Sequence, residues 1–544
     1  MAQVLQPLRH VLHELMLPQA SAPLVSMLLI IVVCPLVALL MILRRPSTAA
    51  TATRSASDRE QLLSKLPSPP GRLPVIGHLH LVGSLPHVSL RDLAARHGRD
   101  GLMLLRLGAV PTLVVSSPRA AQAVLRTHDH LFASRAYSPV TDILFYGSTD
   151  VAFAPYGEHW RQVRKIATTH LLTARKVRSY RRAREHEVRL VVAKIREAAG
   201  AGAAVDLSEL LNCFTNDVVC HAVSGKFFRE EGRNRLFREL VEANSSLIGG
   251  FNVEDYFPAL VRLDVVKRMV CAKARRVKSM WDELLEKLID DHASRLPAAE
   301  RDGGEETDFI DVLLSVQQEY KLTRDHIKAQ LAIMFEAGTD TSFIVLEYAM
   351  VELMQNPGLM TKLQAEVRGN ILLGNKQGMV ITEDELGNSN LAYLKAVIKE
   401  TLRLHMPAPL LVPHLSMADC DIEGYTIPAG TRAIVNSWAL ARDPSCWEKP
   451  EEFMPERFME GGSAAAMDYK GNDFRYLPFG AGRRICPGIT FASCTIEVML
   501  ANLVYHFHWE LPPGSKEKGI DMTESFGVTV HRTHNLLLVP ALPH

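Results

Sequence analysis

The feature that most constrains this chain is a run near its C-terminus, PFGAGRRICPG at 478–488, followed by the apolar stretch ITFASCTIEVMLANLVYHF. Phe479, Gly482, Arg484, Cys486 and Gly488 stand in it at fixed offsets. Glycines at 482 and 488 permit a tight turn and a close backbone approach to a flat cofactor. Cys486 falls just ahead of the expected helix, where backbone N–H groups and the helix dipole favour a thiolate. Such a thiolate is a candidate axial ligand for haem iron, donating electron density that favours O–O cleavage. The Arg484 guanidinium matches the carboxylate geometry of a haem propionate. A buried cysteine in a glycine-rich turn, or a Cys-Pro haem-sensing pair, would explain Cys486 and Pro487 but not the other residues in register.

The remaining composition narrows the classes. With 544 residues, 47% hydrophobic, the chain can bury a large core, and one large catalytic unit is compatible with that length. A net charge of +1 gives no global pull toward nucleic acid. Eight cysteines are scattered without a CxxC pair, so neither a zinc site nor a disulfide scaffold is expected. Reduced, buried thiols are the default.

Residues 24–43, LVSMLLIIVVCPLVALLMIL, carry no charge. At about 1.5 Å per residue they reach across a hydrocarbon core of roughly 30 Å. Arg44, Arg45, Arg54, Arg59, Lys65 and Arg72 follow, whereas Arg9 precedes almost alone, which places the following chain in the cytosol. A cleaved signal peptide is the rival reading, but no clear small-residue cleavage site follows. The expected organisation is a short lumenal N-terminus at 1–23, a transmembrane signal anchor at 24–43, and a cytosolic catalytic body at 77–544. Between anchor and body, 44–76 reads as a polar linker and a stiff hinge with Pro67, Pro69, Pro70 and Pro74. The body is mainly α in pattern with a small β portion, chiefly LMLLRLGAVPTLVVSS and LLLVP.

Other motifs can be set beside the cysteine run. KETLRLHMP places Glu400 and Arg403 on one helix face. LAIMFEAGTDTS carries Ala337, Gly338, Asp340, Thr341 and Ser342. A hydroxyl and a carboxylate there can order water and pass protons, and Gly338 would let the helix open. The plainer reading is a threonine bonding back to a helical carbonyl. WRQVRK puts Trp160 and Arg164 on one helical face.

The cysteine run resembles the haem-binding signature of cytochromes P450, FxxGxRxCxG, without departure. The resemblance extends over 67–540 and implies the P450 fold, preceded by one transmembrane helix. It implies haem b (iron protoporphyrin IX) with Cys486 as axial ligand, and Phe479, Gly482 and Gly488 shaping its seat. Arg484, Trp160, Arg164 and His414 would meet the propionates, His414 standing where the plant pattern more often has Arg. It implies a structural network of Glu400, Arg403 and Arg457, the last from PERF at 455–458. Thr341 and Asp340 would serve oxygen activation. With no dinucleotide or flavin fingerprint in the chain, electrons would come from NADPH through a separate cytochrome P450 reductase. The basic residues between Arg161 and Arg184 could steer that partner.

If Thr341 faces iron, Ala337 and Met334 share its face. The resemblance adds to the substrate pocket 141–147, 245–251 with Leu247, 408–412 with Leu410, and 526–529 with Val528. These favour a small, largely apolar substrate beside O2. The hinge, KETLRLH and PERF resemble the plant microsomal type, in the endoplasmic reticulum membrane. Stretches such as GHLHLVGSLPHVSLRDLA and EEGRNRLFRELVEANSSLIGGFNVEDYFP resemble grass enzymes that hydroxylate indole, indolin-2-one or 3-hydroxyindolin-2-one towards benzoxazinoid defence compounds. Oxidation of another secondary metabolite or a herbicide, a redox-free isomerase or dehydratase, and a haem-sensing membrane protein stay as alternatives.

Overall fold

A computed structural model describes residues 50–225, 233–250, 252–259, 267–269, 271–294, 307–371, 379–514 and 519–543. The anchor stretch 24–43 lies outside the described residues, as does most of the loop at 296–307.

The longer helices are α1 (Ala50–Ser64), α2 (Pro86–His97), α3 (Glu158–Ile166), α4 (Arg181–Ala201), α5 (Leu207–Ser224) and α6 (Arg233–Gly249). They continue with α7 (Ala272–Ala293), α8 (Arg324–Gln355), α9 (Pro357–Asn370), α10 (Ala392–Leu404) and α11 (Ile489–His506). The β portion is small. Strands β1 (Leu102–Leu107), β2 (Val110–Val115), β4 (His414–Leu415) and β7 (Arg432–Val435) form one sheet in the order β1-β2-β7-β4. A second sheet joins β3 (Val205–Asp206), β11 (Leu537–Ala541) and β8 (His508–Glu510). Two hairpins stand apart: β5 (Cys420–Ile422) with β6 (Tyr425–Ile427), and β9 (Glu524–Phe526) with β10 (Val530–Arg532).

Helix α8 organises the body. Its start is fixed by Thr323, whose hydroxyl accepts from the His326 N–H while the His326 ring accepts from the Thr323 N–H. It is buried around most of its circumference, the mark of a core helix, because α5, α6, α7, α9, α10 and α11 all pack on it. Gly338 serves that packing. A Cβ there would lie 2.8 Å from Val219 Cγ2 on α5, so glycine lets the two helices close. The helix runs unbroken through this point, with no opening at Gly338.

Among the described residues, α11 is the one helix long and apolar enough to cross a membrane. It is 61% buried inside the protein, where it packs on α4, α8, α9 and α10 behind the cysteine run.

The segment read as a polar linker is helical from Ala50 to Ser64. Its alanine-rich run holds no Gly or Pro, so helix propensity prevails over polar composition. Glu60 pairs with Arg106 at 2.6 Å, and Leu63 and Leu66 are buried against the β1–β2 sheet. The hinge is fastened to that sheet: Leu104 N–H donates to the Pro67 carbonyl, and His78 N–H to that of Arg106. Gly77, at φ +63°, has the Arg106 carbonyl oxygen 2.1 Å from where a Cβ would stand. No side chain fits there.

Candidate active site

The loop before α11 folds back on itself. The Cys486 N–H donates to the Phe479 carbonyl at 2.9 Å, and the Gly488 N–H donates to Cys486 Sγ at 3.3 Å. This sets the sulfur at the N-terminus of α11, against one wall of a cavity of about 270 Å³. Phe479, Gly480 and Gly488 share that wall, and Met334, Ala337, Gly338 and Thr341 of α8 form another. Ala408, Leu411 and Val412 close a third side.

The charged lining is all guanidinium, with His414 beside it. Arg135, Arg164, Arg484 and His414 reach the cavity, and no carboxylate is among its lining residues. Backbone carbonyls aim two of the guanidiniums. Arg484 donates to Ala133 O at 2.7 Å and Ala154 O at 2.6 Å, and Arg135 donates to Ala152 O at 3.0 Å and Val412 O at 2.6 Å. Burial pushes Arg484 down to about 10 and Arg135 well below its usual range, each repelled by other arginines. Burial and the same arginines lower His414 to about 3, so its ring is neutral and Nδ1–H donates to Phe132 O at 2.7 Å. Such a rim lacks an anion. The buried Asp150 is the nearby acid, but its Oδ1 already accepts from the Ala152 and Phe153 N–H groups, and burial raises it to about 6.

Burial also pushes the Cys486 thiol up, while the Gly488 N–H and Arg164 pull it down. Burial at this sulfur thus favours the neutral thiol, and a cation bound there would favour the thiolate. An apolar cavity, a sulfur against one wall and a cationic rim together fit an iron porphyrin with two carboxylates. Bound there, haem iron supplies dioxygen binding and activation.

Several residues of the motifs stand elsewhere than expected. Trp160 is not in the cavity wall. Its indole N–H donates to Val151 O at 3.0 Å and its ring carries the Arg484 guanidinium at 4.2 Å, so it supports that arginine from behind. Gly482, at φ +69°, is outside the cavity, and a Cβ there would meet the Leu125 carbonyl oxygen at 2.2 Å. It admits the chain of another helix, not a flat cofactor. Asp340 faces away from the cavity into a polar recess, its carboxylate accepting from the Thr529 hydroxyl. The Thr341 hydroxyl donates back to Ala337 O at 2.7 Å. Leu247 is buried in the main core, Leu410 packs beneath the β1–β2 sheet, and Val528 sits in the β9–β10 turn; none lines the cavity. Leucine spacing gave no hint of which of 408–412 would turn inward. Arg135 was not singled out from the sequence, because nothing local marks a lone arginine in ASRAYSP.

Glu400, Arg403 and Arg457 meet in the core. Arg403 donates to both Glu400 oxygens at 2.8 Å, and Arg457 Nε reaches Glu400 at 3.3 Å. The two guanidiniums then take the carbonyls of Ala441, Pro450 and Lys449. The basic stripe is partly consumed: Arg178 and Arg181 pair with Asp384, the buried Arg184 with Glu383, and Lys176 with Thr307. Arg161, Lys165, Arg175 and Arg182 stay exposed.

The chain is 57% identical to indole-2-monooxygenase of Zea mays, over 98% of this chain and 99% of that one. It is 54% identical to the maize 3-hydroxyindolin-2-one monooxygenase (93% and 94% covered) and 54% identical to the maize indolin-2-one monooxygenase (93% and 95%). A zebra fish cytochrome P450 solved with abiraterone superposes with a TM-score of 0.68 at 25% identity, covering 85% of this chain and all of that one. The cytochrome P450 family model matches residues 67–539. The chain therefore belongs to the cytochrome P450 family, as a haem monooxygenase that draws its electrons from NADPH through a reductase.

Proposed function

We propose that this enzyme hydroxylates a small indole-derived intermediate, of the kind named for its maize relatives, while anchored by 24–43 in the endoplasmic reticulum membrane. The catalytic body faces the cytosol. For the chemistry, the supporting observation is the placement of Cys486 Sγ and the Thr341 face of α8 on walls of one apolar cavity. For the substrate it is the 57% identity over 98% of the chain.

Within this reading the Cys486 thiolate would hold the haem iron, and Arg135, Arg164, Arg484 and neutral His414 would hold the propionates. The lining of Met334, Ala337, Ala408, Leu411 and Val412 excludes water and orients a compact aromatic ring by shape. One oxygen atom enters the substrate and the other leaves as water, which consumes protons as well as electrons. Thr341 presents a hydroxyl at the cavity wall, and Asp340 presents a carboxylate to solvent one residue earlier. Together they bring protons through the helix. The reductase is NADPH–cytochrome P450 reductase, steered by Arg161, Lys165, Arg175 and Arg182 as a cluster.

The test is a microsomal assay with reductase and NADPH across indole, indolin-2-one and 3-hydroxyindolin-2-one. Hydroxylated product from at least one is expected. Product formation that persists without reductase would instead mark a redox-free isomerase or dehydratase. A reduced, carbon monoxide-bound spectrum without the thiolate band would remove Cys486 as ligand.

A further inference from the structure

Outside the haem cavity, α8 borders a polar recess of about 1050 Å³ lined by Asp340, Glu242, Ser245, Arg238, Glu347 and His531 among others. At its edge the turn of the β9–β10 hairpin is seated on the last turns of α6. The contact is glycine on glycine: a Cβ on Gly249 would fall 1.8 Å from the Gly527 carbonyl carbon. The Val528 N–H donates to the Ser245 carbonyl at 3.4 Å, and the hairpin's second strand is fastened by Val530 N–H to Pro407 O at 2.8 Å.

Two buried hydroxyls meet at that seat. The Thr529 hydroxyl donates to Asp340 Oδ2, and Ser245 Oγ lies 3.2 Å from Thr529 Oγ1. Thr529 has one proton and spends it on the carboxylate, so Ser245 must be the donor to Thr529. The order is Ser245 to Thr529 to Asp340, spanning α6, the hairpin and α8. Thr529 is 5% exposed and Ser245 3% exposed, so water does not readily replace either partner.

We propose that Thr529 is a positioning residue for Asp340, fixing the carboxylate at the recess through a hydroxyl chain that is complete only when the hairpin is seated on α6. Proton delivery is thereby coupled to closure of that face of the enzyme. The inference rests on the reading of Asp340 as the acid of the relay. No catalytic contact is assigned to Thr529, which touches neither the cavity nor the cysteine.

The experiment uses the full-length, haem-loaded enzyme with reductase, with indole and indolin-2-one as probes. It compares Thr529→Val, Thr529→Ser, Ser245→Ala and Asp340→Asn. Thr529→Val keeps the shape and removes the hydroxyl. Product per NADPH should fall roughly threefold or more, with hydrogen peroxide making up the difference. Thr529→Ser should restore coupling to within about 1.5-fold, and Thr529→Val in an Asp340→Asn background should add little. Amide hydrogen exchange at 240–249 and 525–531 should speed up in Thr529→Val, a readout independent of turnover. Should Thr529→Val not retain haem, Ser245→Ala carries the test, with an expected loss of about twofold in coupling.

Wild-type coupling in Thr529→Val, beside uncoupled Asp340→Asn, overturns this inference alone. Wild-type coupling in Asp340→Asn overturns the relay reading and the inference with it. Unchanged exchange in Thr529→Val overturns the tie to hairpin seating.

Discussion

Asp340 and Thr341 are adjacent in sequence but open onto different spaces: the carboxylate borders the outer polar recess, and Thr341 lines the cavity that also holds Cys486. Successive residues of an α-helix are turned by about 100°, so a neighbouring acid and alcohol cannot share one face. The Thr341 hydroxyl is bonded to Ala337 O and can still accept from a water in the cavity. Thr341→Ala should leave the haem and the thiolate spectrum intact while diverting roughly tenfold more of the electrons to peroxide. Electron balance between product and peroxide measures this, and unchanged coupling would leave Thr341 as a helix residue with a satisfied hydroxyl.

The support of Arg484 by Trp160 separates two functions of one indole. Its N–H satisfies the Val151 carbonyl and its ring faces the half-buried Arg484 guanidinium at 4.2 Å. Trp160→Phe keeps a ring and loses the hydrogen bond; Trp160→Leu loses both. A partly desolvated cation–π contact is worth about 1–2 kcal/mol, so Trp160→Leu should weaken haem retention roughly tenfold, and Trp160→Phe clearly less. Haem transfer to an acceptor apoprotein gives the rates. Equal loss in both variants would mean that the hydrogen bond, and not the ring, sets Arg484.

The Glu400–Arg403 pair is wholly buried, and Arg457 and the Met454 N–H complete the carboxylate's partners. Removing one member strands a charge in the core at about 3–5 kcal/mol. Glu400→Gln should therefore lower expression and haem incorporation sharply, whereas the spectrum of any folded fraction should be unaltered. A folded, stable Glu400→Gln with a changed spectrum would point to a direct influence on the haem.

What the sequence disclosed depended on how local each contact is. The Cys486 turn and the Glu400–Arg403 pair are set within a few residues, so their spacing revealed them. Arg484 and Arg135 share the Ala152 carbonyl although widely separated along the chain, and no periodicity encodes that meeting. Gly482 was legible as a turn, but the reason only glycine fits is a carbonyl of residue 125, contributed by another helix. The acid and alcohol of GTDT looked like one unit because a linear motif does not display which way a helix turns each side chain. Helix α1 was hidden by polar residues that composition assigns to linkers, although its alanines favour a helix and Leu63 buries its end.

Glu336 offers the cleanest test of the core of α8. It is 5% exposed, one turn before Asp340, and neither of its oxygens makes a hydrogen bond that meets ordinary geometry; the Asn244 amide lies nearby. Burial, reinforced by the Asp340 charge, raises its carboxyl well above the ordinary 4.5, so the folded protein holds it protonated. The unfolded chain releases that proton above about 4.5, and the folded one does not. Unfolding thus liberates a proton, and the contribution to stability falls as pH rises above that value. Glu336→Gln keeps the shape and removes the titration. It should be more stable than wild type at about pH 8, by roughly 2 °C or more in Tm, with the advantage shrinking toward pH 5. Thermal unfolding of both proteins across that range decides it: a destabilisation that is the same at every pH would show that Glu336 is held ionised by partners, or that the amide is mispacked against Asn244.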